Sequence, residues 1–209
     1  MTDPSDVLGL CKTAQDVLLR EAGTANALSV EPLADTDEHA TALYSLVEVE
    51  YAPHATNTQP LRILVIRSRA ARERLAAHMA ESDRAKTAAA PLTAVLAYEP
   101  ELLVQLHDLL PAQLPRDPAE QCVFSDKPRR SDAAKLNALI QAGYFILGLR
   151  ALGLTAGQTT GFHNEGVDQE FFAENGYRSL VVVTIGKPGE NVWFPRDLSF
   201  EPEHLISTV

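Results

Sequence analysis

Apolar positions follow helical spacing from Asp6 to Arg20, where Val7, Leu10, Cys11, Ala14, Val17 and Leu18 share one stripe. A loop-like stretch, Gly23 to Asp35, separates it from a second helix. That helix starts at Asp35, has Glu38 three residues on in capping-box spacing, and runs to about Val49. Ile63 to Ile66 is a short aliphatic run and reads as a buried strand; Arg69 to Ala80 is a polar, alanine-rich helix. Pro91 to Tyr98 reads as another strand, closed by a helix near Pro100 to Leu110.

The most apolar helix follows. Ser131 or Asp132 caps it and it reaches about Leu152, with Gln141 the one strongly polar residue between Ala138 and Leu149. Such a helix needs cover on nearly all sides, yet it is too short to span a bilayer. Gly143 and Gly148 permit close backbone approach, each at about 1 kcal/mol of helix propensity against alanine. A glycine-punctuated polar loop (Gly153 to Phe162), a helix near Val167 to Ala173 and a strand from Ser179 to Ile185 complete the order. Strands separated by helices predict a single α+β or α/β domain over residues 1–209 with a central sheet. Residues 111–130, with four prolines, form an excursion, and 188–209 a C-terminal arm whose Trp193, Phe194, Phe200 and Leu205 call for a packing surface.

Charge narrows the partners. Asp plus Glu number 28 against 18 Lys plus Arg, a formal charge of −10, so nucleic-acid backbones and anionic membranes are disfavoured. No window reaches the roughly 18 apolar residues of a membrane span, and the start of the chain lacks a basic region followed by a long apolar run. Cys11 and Cys122 lie far apart without CxxC spacing, which fits a reduced, cytoplasmic setting. His39, His54, His78, His107, His163 and His204 show no metal-ligand pairing, so no metal is expected. GxSxG, GxGxxG and P-loop patterns are all missing.

Two polar segments remain. Ala52 to Arg62 (APHATNTQPLR) offers Thr56, Asn57, Thr58 and Gln59 to a polar ligand edge. In Gly153 to Phe162 (GLTAGQTTGF), glycines let main-chain N–H groups approach a planar ring; short polar residues of this kind also dominate plain turns. APHATNTQP resembles the P-[ST]-S-x-N-x-[QS]-P segment of the nitroreductase family, with Pro53, Asn57, Gln59 and Pro60 in place. KTAAAPLTAVLAYE (Lys86 to Glu99) resembles that family's K-x-x-x-A-P-V-x-[IV] segment. RALGLTAGQTTGFHNEGVDQEFFAE (Arg150 to Glu174) is similar to a segment of one branch, the malonic semialdehyde reductase-like proteins; Ile185-Gly186 and PRDLSFEP match its ending. The likeness runs in order from about Leu19 to His204.

The resemblance implies a nitroreductase-like α+β fold, a central mixed β-sheet flanked by helices in an intertwined homodimer, with FMN as cofactor. The flavin would take a hydride from NAD(P)H and pass it to a small carbonyl, enone or nitro compound, with no catalytic side chain required because flavin N5 carries the chemistry. It assigns cofactor binding to Thr24, Asn26, Ala55, Thr56, Asn57, Lys86, Gly157, Gln158, Thr159 and Arg196. One departure matters. Where the family has an early arginine for the phosphate, the chain reads Ala22-Gly23-Thr24-Ala25-Asn26, so Arg196 is the expected replacement, with Lys187 or Arg20 behind it. The same loss also fits a protein of this fold that holds flavin or another ligand without turnover, in a storage, regulatory or subunit role. Malonic semialdehyde does not carry over, since Gly157-Gln158-Thr159-Thr160 and Ala55 differ from that branch.

Overall fold

In a computed structural model, the described residues are 11–21, 23, 25, 27–29, 33, 52–53, 58–101, 126–190 and 200–209. Four strands, β1 (Leu61–Ile66), β2 (Leu92–Tyr98), β3 (Thr155–Thr159) and β4 (Arg178–Gly186), form one sheet in the order β1-β2-β4-β3. The resemblance implied a mixed sheet; each pairing among the described strands is antiparallel. Pairing runs from Leu61↔Tyr98 to Ile66↔Thr93 between β1 and β2. Between β2 and β4 the register shifts, with Leu96 opposite Val181 but Ala97 opposite Ser179, so Leu180 is an extra residue.

Strand β2, LTAVLAY, is buried along nearly its whole length because helices cover both faces. Leu92, Ala94 and Leu96 meet the long helix α4 (Lys127–Ala151) through Ala138, Ala142, Phe145 and Leu149. On the opposite face, Val95 and Ala97 join Leu75 and Met79, from and just beyond α2 (Arg69–His78), and Val167 of α5 (Asn164–Phe171). Helix α3 (Glu81–Ala89) follows α2, and a short α6 (Pro202–Leu205) lies in the terminal arm. The first helix is one α turn, α1 (Lys12–Gln15), continued by a π turn over Asp16–Arg20. Nine residues are too few for apolar spacing to separate the two windings.

The long helix differs from expectation in two ways. It begins at Lys127, not at Ser131 or Asp132, with Pro128 in its first turn. Proline suits that position, since its fixed φ is helical and its missing N–H is not needed there. Its cover is also one-sided within the chain. Ala134, Asn137, Ala138, Gln141, Ala142, Phe145 and Leu149 are buried, whereas Leu136, Leu139, Ile140, Tyr144 and Leu147 on the other face stay exposed. Gln141 is explained by its partner: buried, it accepts a hydrogen bond from the Leu61 N–H at 3.1 Å and holds the start of β1.

Three boundaries move for tertiary reasons. The expected loop from Gly153 to Phe162 contains strand β3, whose ladder with β4 supplies the order that its small polar residues do not signal. Helix α2 stops at His78 rather than Ala80, because the backbone there pairs elsewhere: His163 N–H donates to His78 O, and Ala80 N–H donates to Gly161 O. Helix α5 starts at Asn164 rather than near Val167, capped by His163 Nδ1, which accepts the Gly166 N–H at 3.2 Å. The expected helices at Asp35 to Val49 and Pro100 to Leu110 fall outside the described residues, save Pro100 and Glu101; so does most of the 111–130 excursion. No helix among the described residues is long and apolar enough to cross a membrane.

Candidate functional site

Of the predicted site residues, Lys86, Gly157, Gln158 and Thr159 are described; Thr24, Asn26, Ala55, Thr56, Asn57 and Arg196 lie outside the described residues. Gly157, Gln158 and Thr159 sit on β3, which has β4 on one side and no described strand on the other. An edge strand directs alternate N–H and C=O groups away from the sheet, so this segment can offer both donors and acceptors to a ligand. Gln158 is exposed, Gly157 and Thr159 half-buried. Lys86 is exposed on α3.

Helix α3 and the end of β3 meet through one side-chain link. The Thr159 hydroxyl donates to Asp83 Oδ2 at 2.8 Å, and the Gly161 N–H donates to Thr159 Oγ1 at 3.0 Å. Asp83 lies three residues before Lys86, so both are on neighbouring turns of one helix face. The fold therefore brings Lys86 and Thr159, predicted from separate segments, to the same region.

Around Pro60 the chain is held in a strained form. Gln59 has φ +43°, the left-handed region that non-glycine residues rarely occupy. Its carbonyl accepts from Arg62 Nη1 at 2.8 Å, and Pro60 O accepts the Glu99 N–H at 3.1 Å. Thr58, just beyond Asn57, is buried and its hydroxyl has no hydrogen-bond partner. A strained corner beside an orphaned buried hydroxyl is a place where a ligand can supply what the chain does not.

The early segment reaches the same side of the sheet as the end of β4. Leu28 bridges Pro188, the Ser29 N–H donates to Lys187 O at 2.9 Å, and the Gly189 N–H donates to Ala27 O at 3.1 Å. Lys187, exposed, thus stands beside residues that directly follow the Ala22–Asn26 motif. The approach needs glycine at 186, where a Cβ would lie 3.2 Å from Pro91 Cγ and 3.3 Å from Leu28 Cβ. Arg20, by contrast, pairs with Asp16 at 2.5 Å.

Asp83 was not legible as a site residue. It sits in ESDRAK, which reads as a solvated helix face, and its partner is 76 residues away. A cleft of about 600 Å³ between α2, α3 and the β3–α5 turn was also missed; His78, Met79, Arg84, Gly161, Phe162 and His163 line it. His78 is engaged there by Glu170 at 2.5 Å. The described residues contain no group of three potential metal ligands.

The model of the nitroreductase family matches residues 18–187. The chain belongs to the nitroreductase family. A Streptomyces griseus protein, provisionally named NADH dehydrogenase/NAD(P)H nitroreductase, is 48% identical over 203 residues, covering 97% of this chain and 99% of its own length. A Streptomyces coelicolor protein of the same provisional name is 49% identical over 203 residues, with the same coverage. Among solved structures, a nitroreductase-like protein from Exiguobacterium sibiricum, crystallised with FMN, superposes with a TM-score of 0.79 at 16% identity; 92% of this chain and 95% of that chain align.

Proposed function

We propose that the chain is an FMN-dependent oxidoreductase that takes reducing equivalents from NAD(P)H and passes them to a small carbonyl, enone or nitro compound. The observation that carries this reading is the edge of β3 at Gly157, Gln158 and Thr159, which no described strand covers, in a chain whose full-length relatives are named for NAD(P)H nitroreduction. When bound, FMN supplies a ring that accepts and returns a hydride. The chain's task is to bind and orient it. The residues present fit that group: an edge strand with donors and acceptors for a heterocycle, an orphaned Thr58 hydroxyl, and an exposed lysine on α3.

Within this reading, a backbone N–H at Gln158 or Thr159 serves the polar edge of the ring. Ala55, Thr56 and Asn57 contribute from the Ala52 to Arg62 segment, and Lys86 from α3. Thr24 and Asn26 hold the ribityl and phosphate end. Arg196 and Lys187 are its candidate cations; the pairing of residues 27–29 with 187–189 favours Lys187. A homodimer completes the proposal, supported by the exposed stripe of Leu136, Leu139, Ile140, Tyr144 and Leu147 and by exposed Phe200, Leu205 and Ile206 in the arm. A contiguous apolar face of this kind marks an interaction surface. The proposed setting is the cytoplasm, with its reduced thiols and NAD(P)H.

The test is a titration of flavin-free protein with FMN, followed by rapid mixing with NADH or NADPH and then with a nitroarene or enone. Saturable binding, bleaching of the flavin absorbance and reoxidation by the acceptor are expected. Flavin that binds but never bleaches would replace this reading with a non-catalytic ligand-holding role; failure to bind at millimolar FMN would remove both.

A further inference from the structure

The turn after β3 is held from beneath. Gly161 O, Phe162 and His163 N–H are paired with the backbone of Ala80, Met79 and His78, which locks the far end of the turn. The near end depends on a side chain. Thr159 Oγ1 receives the Gly161 N–H and passes its own proton toward Asp83 Oδ2, so both roles of the hydroxyl are committed. Gly161 packs tightly over this link, since a Cβ there would lie 3.3 Å from both Asp83 Oδ2 and Thr159 Oγ1. The nearest cation in sequence is engaged elsewhere: Arg84 pairs with Glu81 at 2.8 Å and donates to Met79 O at 3.1 Å. No described cation, Lys86 on the same helix face included, lies within ion-pair distance of the half-buried Asp83 carboxylate, which leaves its negative charge behind the turn.

We propose that Asp83 is a positioning residue of the flavin site: through the Thr159 hydroxyl it fixes the Thr159–Gly161 turn, and its charge behind that turn holds down the potential of the bound flavin. The inference rests on the reading above that β3 faces FMN. A carboxylate opposes added electron density on a nearby ring more strongly than a neutral amide of the same shape does. The link also commits the Gly161 N–H to Thr159, leaving the ring edge to the N–H groups before it.

Four chains test this: wild type, Asp83→Asn, Thr159→Val and Thr159→Ser, each checked for unchanged thermal unfolding. FMN affinity is measured by fluorescence titration, and the midpoint potential by equilibration with a reference dye. Asp83→Asn keeps an acceptor for the hydroxyl, so it should bind FMN within about twofold of wild type. It should also shift the two-electron equilibrium at least tenfold toward reduced flavin, about 30 mV. Thr159→Val should weaken FMN binding several-fold, and Thr159→Ser should restore it. If wild type binds FMN while Asp83→Asn leaves the potential unmoved and Thr159→Val leaves affinity unmoved, the inference is wrong and the functional reading survives. If wild type binds no FMN, both fall.

Discussion

Replacing Ile140 with arginine tests whether the exposed stripe on α4 is where two copies meet. Leu136, Leu139, Ile140, Tyr144 and Leu147 expose 63%, 42%, 40%, 42% and 37% of their surface. Burying such a side chain fully is worth about 1.5–3 kcal/mol, so covering a little under half yields about 1 kcal/mol each. A two-fold interface uses the stripe twice, for roughly 10 kcal/mol, comparable with the ~4–15 kcal/mol that association costs. The margin is narrow and a single position matters. Ile140→Arg removes about 2 kcal/mol across both copies, a factor of about 30 in dissociation constant, before any cost of burying two like charges. Sedimentation equilibrium at several loading concentrations measures it directly. Wild type should dissociate only at much lower concentration than the variant. A monomeric wild type at micromolar concentration, or a variant that dimerises as tightly, refutes the assignment of this face.

Three further outcomes follow from the described contacts. Gln141→Leu leaves the Leu61 N–H without its acceptor and should lower stability in urea by about 1–3 kcal/mol, less whatever the added apolar burial returns; stability at or above wild type would mean water satisfies that N–H. Phe145→Ala, on the covered face of α4, should cost about 3–5 kcal/mol, whereas a loss under about 1 kcal/mol in the same measurement would show that the core closes around the gap. Glu101 is held below its ordinary carboxylate range by hydrogen bonds from Lys127 (2.8 Å) and Arg130 (3.0 Å). A lowered folded-state value means its contribution is present above the ordinary carboxylate pKa and lost as pH falls through the lowered one. Glu101→Gln should therefore lower the melting temperature at pH 7, with a difference that shrinks as pH falls below the ordinary carboxylate range; an effect that does not change with pH would point to packing instead.

Strands β1, β2 and β4 were legible because their aliphatic runs can only be buried, and α4 because an almost unbroken apolar helix demands cover. What stayed hidden depends on partners distant in the chain. Strand β3, TAGQT, has neither β-branched density nor alternation, and it is ordered by its ladder with Val182 to Gly186. The break between α2 and α3 has no proline or glycine; it exists because His78 and Ala80 pair with His163 and Gly161. Family likeness singled out Gly157, Gln158 and Thr159 as the expected ring end of the site, and the fold places all three on the edge strand β3. Asp83 was not, since nothing local separates a carboxylate facing water from one that holds a threonine 76 residues away. The place of Lys187 beside residues 27–29 likewise appears only once the sheet is built.

The turn that leaves β3 is anchored chiefly by main-chain atoms, with Ala80, Met79 and His78 holding Gly161, Phe162 and His163. Gln158 and Thr160, which flank the one committed hydroxyl, project into solvent in this chain. Their side chains are therefore decoupled from the framework that places them. On the proposed reading that β3 faces the flavin, substitution there would redraw the shape and polarity offered to an incoming molecule while the scaffold stays as it is, which would make these two positions the natural ground for divergence in substrate choice.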